Sequence, residues 1–208
     1  MVTTRQRLVE AATKGFADQG IQSASLVEIT RQAGQRNRGA VHYHFGGRDG
    51  LLVAVLEQYN AFLQEREMEL LRQARERPGQ DVAAVVEAIV RPAVELAERG
   101  PSEACYLVIV AELAEQDPST YSPEVEAALA GSGGYEVYRT LRERLPDLDD
   151  ELRSERFALM TAFVLGTVAR RVRSLADENH RHQMPTDRFV ANLVLMASAM
   201  LTAPTVDA

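Results

Sequence analysis

The chain is poor in the residues that usually anchor chemistry. Among 208 residues there is one cysteine, Cys105, which excludes an internal disulfide framework and any cysteine-based structural zinc site. No apolar run approaches the roughly 18 residues that a helical bilayer span needs, so no membrane partner is expected. The opening Met1-Val2-Thr3-Thr4-Arg5 turns amphipathic at once without an apolar segment. No secretory signal is therefore expected, and the cytoplasm is the expected address. A single lysine, Lys14, stands among 23 basic residues, an arginine bias that speaks of a GC-rich genome rather than of a function. Catalytic signatures are missing as well: there is no Gly-rich phosphate loop, no Gly-x-Ser-x-Gly elbow and no His-Glu-x-x-His. No enzyme activity, cofactor, catalytic set or metal set is expected.

The net charge of -7 at first argues against nucleic acid as a partner. It is an average over two unlike segments. Residues 1–50 carry seven basic and four acidic side chains, a balance of +3, and the remainder carries -10. Two electrostatic characters in one chain suggest two jobs.

Period-2 alternation is almost absent, while i, i+3, i+4 apolar spacing recurs from end to end, so the expected fold class is all-α. Three short helices are expected first. One runs from about Thr4 to Asp18 and is stopped by Gly20. The next spans Leu26 to Ala33 behind a capping box of Ser25 and Glu28, and the third runs from Arg38 to His44, capped by Asn37. A long continuous helix from Arg48 to Arg77 should follow. Further helices are expected over 81–99, with a kink at Pro92, over 102–116, over 123–145 with a break at Gly131–Gly134, over 150–175 and over 186–202. The apolar run Tyr106–Val110 also suits a buried strand, but no second strand is available to pair with it.

Three short helices with a glycine turn between the second and third follow the plan of a helix-turn-helix reader. Leu8, Phe16, Ile21, Leu26, Ile29, Ala33, Val41 and Phe45 are spaced to form one small core beneath the third helix. With Val41 and Phe45 inward, Arg36, Gly39, Ala40 and Tyr43 turn outward, with His42 at the margin. Small residues there let the backbone approach DNA, and Arg36 and Tyr43 can reach base edges or phosphates.

The stretches Ser25-Leu26-Val27-Glu28-Ile29-Thr30-Arg31-Gln32-Ala33-Gly34 and Tyr43-His44-Phe45-Gly46-Gly47-Arg48-Asp49-Gly50-Leu51-Leu52 resemble the tetracycline-repressor (TetR) family of bacterial regulators. The resemblance covers residues 4–56. It implies a helix-turn-helix head over 1–50 and a helical effector-binding and dimerisation domain over 51–208. The function it implies is that of a ligand-responsive repressor that binds a palindromic operator in double-stranded DNA as a homodimer. Ser25, Arg36, Asn37, Arg38, His42, Tyr43 and Arg48 become the expected DNA contacts, Arg48 standing where the family usually carries a phosphate-binding lysine.

In the larger segment, Tyr59, Phe62, Tyr106 and Tyr138 are candidates for the wall of a cavity holding an unknown small-molecule effector. The long fourth helix is the expected lever. Phe157, Val164, Val168, Leu193, Ala197 and Met200 form apolar stripes on the last two helices and are the candidate dimer contacts, although the same stripes also suit closure of one chain's own core. Two rival readings stay open: a helical sensor or scaffold without DNA binding, and a small α-helical metal enzyme using His180 and His182.

Overall fold

The computed structural model describes residues 2–77, 81–131, 134–145, 148–175 and 184–205. Among them only helices occur as regular structure: α1 (Thr4–Gln19), α2 (Leu26–Gln32), α3 (Ala40–Phe45), α4 (Arg48–Leu56), α5 (Asn60–Glu76), α6 (Val82–Ala97), α7 (Pro101–Ala114), α8 (Pro123–Ala130), α9 (Gly134–Arg144), α10 (Asp150–Leu175) and α11 (Thr186–Thr202). The run Tyr106–Val110 is helical and lies within α7. The expected linker residues His180 and His182 fall outside the described residues.

Local chemistry accounts for the helix ends. Thr3 and Gln6 form a reciprocal capping box at α1, each side chain taking a backbone amide that the first turn leaves free. The box expected at α2 is only half made. Ser25 Oγ accepts the Glu28 amide at 3.3 Å, but the Glu28 carboxylate turns instead to Arg31 and Gln32. Hydrogen bonds from these two side chains hold the Glu28 carboxyl down at about 2. Asn37 does not cap α3 either. Its Oδ1 accepts the Gly39 amide at 2.9 Å, closing a local turn that delays the helix to Ala40.

The head core matches the spacing of its sequence. Leu8, Phe16, Ile21, Ile29, Ala33 and Val41 are buried, with Leu26 and Phe45 packed at its margin. Ala40, expected outward, is buried. Starting the helix two residues late turns its first position inward. The α3–α4 corner is tight: Gly46 closes α3 in the left-handed region, which glycine enters without steric cost. At Gly50 an added Cβ would sit 1.9 Å from the Phe45 carbonyl oxygen. Gly50→Ala must therefore move backbone and is expected to cost about 3 kcal/mol, read as a lower urea midpoint.

The expected 30-residue fourth helix does not exist as one rod. A 3-10 turn at Glu57–Tyr59 divides it into α4 and α5. Gln58 Nε2 there donates to Thr13 Oγ1 of α1 at 3.0 Å. The break lets α4 stay with the head and α8, while α5 packs on α6 and α9. α7 packs on both α1 and α10, and one continuous apolar core joins head and body.

Candidate nucleic-acid interface and internal cavity

The outer surface of the head gathers Arg36, Asn37, Arg38, Gly39, His42, Tyr43 and His44, all exposed. Arg36, Asn37 and Arg38 sit in the turn before α3, and Tyr43 projects from α3 with 84% of its surface open. Tyr43 and His44 meet edge to face with centroids 5.0 Å apart. His42 Nδ1 lies 3.1 Å from the Gly46 carbonyl, to which it donates, so the ring is held in place. Ser25 is exposed at the N-terminus of α2. Its oxygen accepts the Glu28 amide and its hydroxyl hydrogen remains available to a phosphate.

Arg48 has partners inside the head. Its guanidinium reaches back into the head and donates to the Ile21 carbonyl at 2.5 Å and the Ala24 carbonyl at 2.8 Å. It clamps the α1–α2 connection through these two carbonyls. The fork of an arginine can serve two carbonyls at once, which a lysine at this position cannot do in the same way. Arg48→Ala strands both carbonyls and is expected to lower stability by about 1–3 kcal/mol in urea unfolding. The salt dependence of any DNA binding should stay unchanged. A slope shallower by about one with stability intact would restore the phosphate role.

The same corner is tied to the body. The Ile21 amide donates to Glu112 Oε1 of α7 at 2.9 Å. One residue thus has its amide held by the body and its carbonyl held by Arg48.

The body holds a cavity of about 410 Å³ that opens to the surface, within the range of small-molecule sites. α5, α6, α7, α8, α9 and α10 wall it with mostly apolar side chains. Tyr106 and Tyr138 line it as expected, whereas Tyr59 and Phe62 do not. Tyr59 packs edge to face on Tyr106 and donates to Ser102 at 3.1 Å, and Phe62 lies under the Arg99 guanidinium at 4.2 Å. Both serve the packing behind the wall. Phe157, expected at a dimer contact, lines the cavity beside Tyr138.

One lining residue escaped the sequence reading. Among the described residues the buried polar side chains are Thr13, Thr30, Thr140 and Glu67. Each threonine donates to a carbonyl four residues earlier. Glu67 is 7% exposed and its Oε2 has no hydrogen-bond partner. Burial pushes its carboxyl up to about 8. A signal was present: Leu63, Glu67 and Leu71 recur at i+4 along the inward face of α5, so a carboxylate occupies a core position.

The dimer stripes are also corrected. Val164, Val168, Leu193 and Ala197 are buried within the single chain, where α10 and α11 pack on each other and on α6, and Met200 is half-buried. Among the described residues, the large apolar side chains left open on these helices are Leu159, Leu195 and Met196. The stripe chosen from spacing is the inward one.

Among the described residues no group of three His, Cys, Asp or Glu is placed to hold a metal, and no helix is long and apolar enough to cross a membrane.

Comparison with known proteins agrees with this layout. The family described as "Bacterial regulatory proteins, tetR family" matches residues 8–55, and "Tetracyclin repressor-like, C-terminal domain" matches residues 87–200. The chain is 49% identical over 53 residues to the HTH-type transcriptional regulator SrpR of Pseudomonas putida, covering 26% of this chain and 24% of that protein. Over the same length it is 49% identical to the uncharacterized HTH-type transcriptional regulator TtgW, also of Pseudomonas putida, covering 26% of this chain and 39% of that one. The match thus spans about a quarter to two fifths of these curated relatives. Among solved structures, the ketosteroid transcriptional regulator KstR2 of Mycobacterium tuberculosis superposes over 96% of this chain and 95% of its own, with a TM-score of 0.57 and 17% identity. The regulator PfmR from Thermus thermophilus covers 100% of both chains at a TM-score of 0.54 and 18% identity. At such identities the likeness is one of fold.

Proposed function

The chain belongs to the tetracycline-repressor (TetR) family of bacterial transcriptional regulators, and we propose that it works as a ligand-responsive repressor of this kind. Residues 1–50 are the reader and residues 51–208 the sensor. The observation that carries the reading is the outer face of the head, where Arg36, Asn37, Arg38, His42 and Tyr43 stand exposed on a rigid, well-filled core. Arg36 and Arg38 reach base edges or phosphates, Tyr43 and Ser25 contact the backbone, and the -10 of the remaining residues leaves this face as the attractive one.

Two copies in the cytoplasm, joined through the outer faces of α10 and α11 at Leu159, Leu195 and Met196, present their heads to successive major grooves of a palindromic operator. An effector in the cavity acts through α7 rather than through a continuous fourth helix. α7 contributes several of the cavity's side chains and also carries Glu112, which holds the head at Ile21. A shift of α7 that the effector favours changes the spacing of the heads and weakens DNA binding through differential affinity for the two forms.

Gel shift on the DNA flanking the protein's own gene tests this. A discrete complex that resists nonspecific competitor and weakens steeply with salt is expected. Absence of any salt-sensitive specific complex from the purified protein would refute the reading.

A further inference from the structure

We propose that the ligand of the internal cavity is a hydrophobic organic cation, an apolar or aromatic body bearing one positive charge, with Glu67 as its counter-ion. The regulatory meaning of this rests on reading the cavity as the effector site; the binding itself does not.

Charge, geometry and surface chemistry point the same way. Glu67 is the one charged side chain lining the cavity among the described residues, and no Lys, Arg or His among them lines it. An anionic ligand would meet a buried carboxylate and no compensating base. The Glu67 carboxyl lies buried with Oε2 unpartnered, and a buried polar group ordinarily finds a hydrogen-bond partner or, once ionised, an opposite charge. A cation supplies that missing partner. Tyr106, Tyr121, Tyr138 and Phe157 stand around the same space, and the faces of such rings attract a cation at about 6 Å or less from their centroids. A bare metal ion fits poorly, since hard cations take six or more oxygen ligands and one carboxylate is on offer. The largely apolar remainder of the wall selects an apolar body.

Proton linkage follows from the same placement. Burial pushes the Glu67 carboxyl up to about 8, so at neutral pH it is mostly protonated, and a cation must displace that proton. Affinity for a permanent cation therefore rises with pH and levels off above about 8. The other titratable groups on the wall are Tyr106 of α7, Tyr121 ahead of α8 and Tyr138 of α9. Burial holds all three above their ordinary values, outside this window. α6 and α10 bring no titratable side chain to the wall.

The test is calorimetry on the full-length protein with three matched probes: phenylbutyltrimethylammonium, its uncharged carbon isostere with a tert-butyl head, and phenylpentanoate. The cation should bind at least about tenfold tighter than the isostere at high pH, and the carboxylate should give no binding heat. Between pH 6.5 and 8.5 the affinity for the cation should rise roughly tenfold or more, as the ionised fraction of a group titrating near 8 does. Glu67→Gln keeps the shape; it should abolish both the cation preference and the pH dependence while retaining isostere binding. An isostere that binds as tightly as the cation overturns the proposal. So does affinity that falls with pH, the mark of a protonated Glu67 donating to a neutral ligand, or a cation that does not bind, or an unchanged Glu67→Gln. A failed gel shift alongside intact cation binding would refute the regulatory reading alone, so the two failures are distinguishable.

Discussion

Replacing Arg36 and Arg38 together by alanine should weaken operator binding by about two orders of magnitude or more while leaving the thermal transition of the protein in place. Both side chains are exposed in the turn before α3, away from the buried core of the head, so their removal costs the fold little. If each makes a base or phosphate contact it contributes roughly 1–3 kcal/mol of binding. Phosphate contacts also contribute to the salt dependence, so the double variant should show a log–log slope shallower by up to about two. Fluorescence anisotropy on an operator fragment at several salt concentrations reads both quantities. Affinity within a factor of two of the parent would place the DNA surface elsewhere on the head. Tyr43→Ala provides an internal comparison: with 84% of its surface open it should be silent in stability and visible in DNA affinity.

The second large effect is on stability. Glu67 stays protonated in the folded chain up to about pH 8, whereas in the unfolded chain it releases its proton near the ordinary 4.5. Between those limits the folded state binds more protons than the unfolded state, so this group's contribution to stability is full below about 4.5 and is lost as pH rises through 8. The neutral, isosteric Glu67→Gln escapes that loss. Its advantage over the parent should be near zero in acid and grow to at most on the order of 5 kcal/mol above pH 8, raising the melting temperature there by roughly 10 °C. Melting curves of both proteins across pH 5 to 9 give the difference directly. A gap that does not widen with pH would mean that the carboxyl is hydrated or paired in solution. A gap that widens as expected would mark Glu67 as a cavity-facing residue kept for binding rather than for packing.

Much of this molecule was legible in its residues. The helical class, the three short helices of the head and their core at Leu8, Phe16, Ile21, Ile29 and Val41 follow from spacing, because an apolar residue every third or fourth position has one stable use. The breaks after Gly20 and at Gly131 were visible as residues that end helices. Errors gathered where a side chain had a choice of partners. Asn37 can cap a helix or close a turn; Glu28 can take an amide or a guanidinium. Each choice is settled by atoms distant in sequence or by geometry of a fraction of a turn, and one-dimensional spacing holds neither. The fourth helix misled for the opposite reason: residues 57–59 carry no glycine or proline, and the break there comes with the demands of packing α4 on α8 and α5 on α6 and α9.

The sequence by itself determined a family and a division of labour. Its Ser25–Gly34 and Tyr43–Leu52 segments carry the head, and its split of +3 against -10 assigns attraction for DNA to that head. Tertiary structure alone decided which faces look inward. Val164, Val168, Leu193 and Ala197 went to the core, and Leu159, Leu195 and Met196 were left outside, because on broad apolar helices the neighbours, not the periodicity, choose the buried stripe. It alone brought Glu67, Tyr106, Tyr138 and Phe157, drawn from four helices, around one cavity, and it alone joined Ile21 to Glu112 across 91 residues. Such convergence depends on packing between elements far apart in the chain, where no local pattern records it.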